Sequence, residues 1–265
     1  MTDYIINTPH CPVPFHFCTI PRMNTNPIFQ RLKILTGADT VAALSQTRVS
    51  VFGLGGVGSW CSEALVRSGI GAISLIDFDK VEISNINRQI QATMGSIGRF
   101  KADVLAARLK EINPDCDIKS ICAFYELDTA DQFDISGTDY IIDAIDSLES
   151  KLDLIESAVH LNITLYSSMG MAWRLDPTRI KTASIWKTSG CPLARRVREG
   201  LRKRDFKGDF TAVYSDEIIP REREIHQGKM INGSAVPVTA AAGMILASLI
   251  IRDIAGRYDG VKKDE

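Results

Sequence analysis

Val49-Ser50-Val51-Phe52-Gly53-Leu54-Gly55-Gly56-Val57-Gly58 is the stretch on which the fold turns. An apolar run enters Gly53 and reads as a buried strand over 49–53, and residues 57–68 carry helical spacing that stops at Gly69. A second apolar run, 72–76, ends at Asp77 and completes a strand–helix–strand unit of the length that parallel pairing with a right-handed crossover requires. Farther out, Val104, Leu105, Leu109 and Ile112 recur at helical spacing over 101–112, where Asn113-Pro114 stops the helix. Further strands are expected at 118–122, 140–145 and 163–166, with a helix at 148–161 between the last two. This alternation predicts an α/β, doubly wound and mostly parallel sheet. After Ser168 the pattern changes to short strands punctuated by Pro and Gly, a basic helix near 192–204 and a closing Ala-rich helix, a C-terminal α+β extension within the same compact domain.

The composition bounds the partners. The 265 residues are 45% apolar and 24% charged, enough for a sizeable core, and 31 Lys and Arg against 32 Asp and Glu leave a formal charge of −1. Any attraction for a polyanion must therefore be local. The six cysteines, Cys11, Cys18, Cys61, Cys116, Cys122 and Cys191, form no C-x-x-C pair, and the four histidines show no metal-ligand spacing, which points to reduced thiols and a cytoplasmic location. Residues 1–27 hold five of the ten prolines, lack the pattern of a signal peptide and are expected to be poorly ordered. The apolar stretch 235–251 approaches the length of a short membrane span, yet Pro237, Thr239 and Ser248 interrupt it, so it reads as a buried helix and no membrane partner is expected.

The chemistry gathers around the glycine turn. Gly53, Gly55, Gly56 and Gly58 lie between strand and helix, where bare backbone approaches phosphates and the helix N-terminus supplies partial positive charge. A dinucleotide site, or a tight turn with no ligand, satisfies the same pattern. Asp77, 24 residues after Gly53, stands near the offset at which an acid accepts hydrogen bonds from ribose hydroxyls. Arg88 offers a fork of donors for phosphate oxygens and Lys101 a compact charge, together enough to neutralise a triphosphate being cleaved. Asn85 and Gln89 can orient the same oxygens, and Asp146, just past the strand ending in Asp143-Ala144-Ile145, is placed to hold Mg²⁺. Taken singly, Arg88 and Lys101 fit surface charges and Asp146 a helix N-cap.

The glycine turn, Asp77-x-Asp79-x-Val81, Ser84-Asn85-x-x-Arg88-Gln89, Gly98-x-x-Lys101 and Asp143-x-x-Asp146, in this order, resemble the ThiF/HesA/MoeB family, relatives of the ubiquitin-activating enzymes. The resemblance runs from about residue 31 to 168 and more thinly beyond. It implies an ATP-binding adenylation region over 28–170 continued by 171–265, in which a carboxylate attacks the α-phosphate and pyrophosphate leaves with Mg²⁺ assistance. Carried over by motif, Gly56 lies against the nucleotide, Asp77 reads the ribose, and Asn85 and Arg88 contact phosphates. Lys101 polarises the α-phosphate, Asp146 binds the metal, and Asp79, Gln89 and Ser147 complete the nucleotide contacts. Arg31 occupies the place of an arginine that the family inserts from a partner subunit, which implies a homodimer.

The second half narrows the resemblance. Ile112-Asn113-Pro114-Asp115-Cys116, Asp176-Pro177-x-x-Ile180 and Pro192-Leu193-Ala194 are similar to the branch of the family that dehydrates threonylcarbamoyladenosine in tRNA. That branch adenylates the threonylcarbamoyl carboxylate on adenosine 37 and then closes a ring with loss of AMP; a sulfur-transfer protein stays open as a further partner. An RNA partner also suits residues 195–207, where Arg195, Arg196, Arg198, Arg202, Lys203, Arg204 and Lys207 face two acids. The alternative is activation of a ubiquitin-like sulfur-carrier protein, whose enzymes usually carry two C-x-x-C pairs that this chain lacks. Where the tRNA branch tends to have Asp before Pro-Leu this chain has Cys191, and where some relatives have a cysteine near the last helix it has Pro237, so a covalent cysteine role is not expected.

Overall fold

Phe52 of β1 (Arg48–Phe52) stands beside Ile76 of β2 (Ala72–Ile76) and Asp143 of β4 (Tyr140–Asp143), so three strand ends meet where the glycine turn begins. The computed structural model describes residues 26–126, 133, 135–219, 225–226, 229–230 and 232–258. Residues 1–25 of the segment expected to be poorly ordered, with Cys11 and Cys18, lie outside the described residues. Asn26 and Pro27 do not share that expectation. The Asn26 side chain accepts from the Ile28 amide and caps a short 3-10 turn, Pro27–Phe29, ahead of α1 (Gln30–Thr36) and α2 (Ala38–Leu44).

The main sheet adds β3 (Asp117–Ile121), β5 (Thr164–Ser168), β6 (Ile180–Ser184) and β7 (Thr211–Ser215), in the order β3-β2-β1-β4-β5-β7-β6. All neighbours pair in parallel except β6, which runs antiparallel to β7 at the edge. This is the doubly wound α/β fold expected. The residues after Ser168 extend that sheet by two strands, because β7 pairs directly with β5. A separate pairing joins Ile225–His226 to Lys229–Met230.

Helices cover both faces. α3 (Gly58–Arg67), α4 (Lys101–Ile112) and α7 (Val236–Tyr258) pack on one, and α5 (Leu148–His160) and α6 (Pro192–Lys203) on the other. α4 buries Ala102, Leu105 and Leu109, one stripe of a helical period, and its charged face stays in water. α7 is long and apolar enough to cross a membrane by length and composition. Here it buries Val238, Ala242, Leu246, Ile250 and Ile254 against α3 and the sheet. At their crossing, a Cβ on Gly243 would sit 2.5 Å from the Val57 carbonyl oxygen, so the two backbones touch.

The expected strand 140–145 ends two residues early. The Ile145 amide turns back to Asp143 Oδ1 at 3.1 Å, an Asx-type bond that takes Ala144 and Ile145 off the sheet and aims the next residues over its edge. The order of strands reverses between β1 and β4: the chain winds outward through β2 and β3, then returns to start the other half. A crevice opens outside the carboxyl ends at such a switch point.

Candidate functional site

A cleft of about 820 Å³ lies at that switch point. Its floor is the glycine turn. Gly53 holds φ +87°, and a Cβ there would stand 2.6 Å from the Ala144 carbonyl oxygen; one on Gly58 would collide with the Gly53 carbonyl. These two glycines close the turn. Gly55 faces open space, and Gly56 lies between Arg88 and Thr239, so these two present backbone to a ligand. α3 starts immediately beyond with no side-chain cap, which leaves amide donors and the positive end of the helix facing the cleft.

Asp77 braces the floor. Because β1 and β2 are neighbours, its carboxylate reaches across to accept from the Leu54 amide at 2.6 Å and, through its other oxygen, from the Asp79 amide at 2.8 Å. Burial raises its pKa from the ordinary value against the pull of Lys101. Gln91, which the sequence reading passed over, ties down the far side by donating to the Leu54 carbonyl at 2.8 Å. Of the acids expected to meet a nucleotide, Asp79 is the one turned outward, its side chain 47% exposed.

The expected cations come together at this rim. Lys101, the first residue of α4, keeps 7% of its side chain exposed and meets Asp79 Oδ2 at 2.7 Å. Arg88 is half-buried, and burial lowers its pKa. Its Nη1 donates to the Ser84 carbonyl at 2.8 Å and to Asn87 Oδ1 at 3.1 Å, and its own carbonyl accepts from Trp60 Nε1. Asn85 and Gln89 line the cleft too, and Gln89 Oε1 is buried with no partner among the described residues.

Asp146 and Ser147 line the opposite rim, carried there by the Asx turn. The N-cap place of α5 falls to Ser147, so Asp146 is not spent as a cap. Its exposed carboxylate has no hydrogen bond or ion pair among the described residues, and no group of three or more His, Cys, Asp or Glu side chains there could hold a metal. One free carboxylate facing a phosphate site fits a hard divalent ion whose other oxygens come from phosphates and water, and fits no all-protein metal cage.

Beneath that rim is a group the sequence reading missed. Lys151 and Asp143, both with 0% side-chain exposure, meet at 2.6 Å; Lys151 Nζ also donates to the Ser168 carbonyl at 3.1 Å, and Ser167 Oγ to Asp143 Oδ2 at 2.6 Å. A signal was available: Lys151 sits on the stripe of Leu148, Leu152 and Ile155, where a helix packs.

The wall on the β5 side is made of Ser168–Arg174 with Cys191, Leu193 and Arg196. The residues expected to meet RNA divide here. Arg204 is taken up by Glu149, Asp153 and Glu156 at 2.6–2.8 Å, three carboxylates spaced along α5. Arg202 stacks over Trp186, Arg198 bonds Thr188, and Arg195 faces Glu199 at 3.6 Å. Lys207 pairs with Asp205, Arg196 and Lys203 are exposed without a partner among the described residues, and Arg196 alone of the seven lines the cleft. Arg31 lies exposed on α1 and does not line the cleft of its own chain.

Comparison with known proteins gives the setting. The ThiF family profile matches residues 29–264. The chain is 38% identical over 238 residues to the Bacillus subtilis tRNA threonylcarbamoyladenosine dehydratase, covering 85% of this chain and 94% of that protein. It superposes with a TM-score of 0.80 and 35% identity on the Escherichia coli tRNA N6-threonylcarbamoyladenosine dehydratase solved in complex with ATP, covering 89% of this chain and 97% of the other. Similarity to the Saccharomyces cerevisiae adenylyltransferase and sulfurtransferase is 33% over 129 residues, 48% of this chain and 29% of that protein.

Proposed function

This chain belongs to the ThiF family, and from that premise we propose that it is an ATP-dependent enzyme that adenylates the threonylcarbamoyl carboxylate on adenosine 37 of a tRNA and then closes it into a ring. The observation that carries this reading is one continuous cleft. Its nucleotide rim joins the glycine turn, Arg88, Lys101 and Asp146, which has no partner among the described residues, and its other wall is open for an acyl substrate.

In the first step the carboxylate oxygen bonds to the α-phosphorus and the bond from that phosphorus to the bridging oxygen breaks, releasing pyrophosphate. Lys101 and Arg88 neutralise charge building on the phosphate oxygens, the uncapped start of α3 donates amides to them, and Asp79 accepts from the ribose in place of the inward-turned Asp77. Asp146 would hold Mg²⁺, which supplies charge neutralisation to the leaving diphosphate. In the second step a carbamoyl oxygen or nitrogen of the substrate attacks the activated carbonyl carbon and AMP departs with the former carboxylate oxygen. The net change in the RNA is loss of one water.

The exposed apolar residues Ile34 and Leu35 beside Arg31 on α1 support assembly as a homodimer that brings Arg31 to a partner's cleft. Four free thiols among the described residues suit the reducing cytoplasm. Neither step transfers sulfur, so the partner set proposed is tRNA and a second copy.

Incubating the chain with Mg-ATP and threonylcarbamoylated tRNA is expected to release AMP and pyrophosphate in equal amounts and to lower the RNA mass by one water. Oxygen-18 placed in the carboxylate should appear in AMP. An unchanged RNA mass, with pyrophosphate exchange driven instead by a Gly-Gly-tailed carrier protein, overturns the reading. Asp146→Asn is expected to raise the Mg²⁺ concentration for half-maximal rate by about tenfold or more at an unchanged melting temperature; an unchanged Mg²⁺ requirement would remove Asp146 from the metal.

A further inference from the structure

Arg174 is 5% exposed, yet it lines the cleft. It follows Trp173, whose φ of +58° and backbone bond to the Gly233 carbonyl fix the chain where it enters the wall. Nη1 donates to the Trp173 carbonyl at 3.0 Å and Nη2 reaches the Gly190 carbonyl at 3.5 Å, whereas Nε–H has no acceptor among the described residues. No carboxylate there pairs with it. The acids along this edge are engaged elsewhere: Asp176, two residues on, accepts from the Thr178 amide and hydroxyl, Glu217 accepts from the Leu175 and Asp176 amides, and Asp216 pairs with Arg179 and Lys181. A buried guanidinium without counter-charge and with an idle N–H is costly to keep and calls for an anion.

Two further features converge on the same wall. α6, twelve residues long, begins there with Cys191, Pro192 and Leu193 in the cleft and no side-chain cap, so its positive end is open. Arg196, one turn on, is exposed and lacks a partner among the described residues. β5 lies one strand beyond β4, so this wall is offset from the rim that meets the triphosphate.

We propose that Arg174, with Arg196 and the start of α6, forms a second anion subsite that takes an oxyanion of the RNA substrate and not of ATP. The inference rests on the reading above. The oxyanion is either the acyl carboxylate before it reacts or a phosphodiester flanking the modified nucleotide. Arg174 offers the planar fork both require.

The test uses the full chain, Mg-ATP and threonylcarbamoylated tRNA, with the free threonylcarbamoyladenosine nucleoside as a competitor that keeps the carboxylate and lacks phosphodiesters. Arg174→Gln is expected to raise the KM for tRNA by about tenfold or more, with the Kd for ATP within about twofold of the parent chain and Arg174→Lys intermediate. A phosphodiester contact would leave the nucleoside's inhibition constant unmoved and lower the log–log salt slope of tRNA affinity by about one. A carboxylate contact would raise the inhibition constant and leave the slope alone. Should Arg174→Gln not fold, Arg174→Lys and the exposed Arg196→Gln carry the same comparison. Folded variants with parental kinetics on tRNA, or with ATP affinity lost in step with tRNA affinity, overturn the subsite. Absence of AMP release by the parent chain would instead overturn the functional reading itself.

Discussion

Lys101→Met is expected to lower the rate of AMP formation by about 10²–10³-fold while the chain stays folded. The asymmetry follows from where Lys101 stands. It is the first residue of α4, at the positive end of a helix, where a cation is locally unfavourable. Its ammonium is almost wholly shielded and meets a single carboxylate, Asp79, which is 47% exposed. Methionine keeps the apolar stem packed, and the Asp79 carboxylate left behind can be hydrated, so the stability lost is that of a half-exposed ion pair, about 1 kcal/mol or less. The rate loses more, because the charge that builds on a cleaving phosphate would lose the shielded ammonium placed at this rim to meet it. Single-turnover AMP release beside a thermal melt decides the matter: activity and melting temperature falling together would make Lys101 a structural residue.

The fold around this site was legible in apolar spacing and stop signals. The turn at Gly53 and Gly58, the stop at Asp77 and the helix at Lys101–Ile112 depend on apolar spacing and stop signals a few residues apart, and doubly wound topology brings the carboxyl ends of β1, β2 and β4 to one edge. Side-chain direction was less legible. Asp77 turns inward because Leu54 on the neighbouring strand's exit presents an amide to it, and Asp79 faces out as a consequence. The surroundings of Arg204 were not legible either, because the three acids of α5 that gather around it lie about fifty residues away in sequence. Arg174 gave no warning, since a single arginine between Trp173 and Leu175 has no period, and its burial arises from how β5 runs out beside α6.

Lys151→Met is expected to cost roughly 3–5 kcal/mol, the penalty of leaving a buried charge without its partner. At about 2–4 °C per kcal/mol for a chain of this size, the melting temperature should fall by roughly 6–20 °C. Asp143 would keep the Ile145 amide and the Ser167 hydroxyl, two neutral donors, but its negative charge would have no cation within reach in a wall that excludes water. Replacing both members, Lys151→Met with Asp143→Asn, removes the charge and keeps an oxygen for the Ile145 amide, so the double variant should regain most of the lost stability. Activity should not follow it back. The pair joins the carboxyl end of β4 to that of β5, where Lys151 also holds the Ser168 carbonyl, and the loop between β4 and α5 carries Asp146. A double variant as stable as the parent yet raised in its Mg²⁺ requirement would identify the pair as the anchor that positions Asp146; full recovery of both would reduce it to packing.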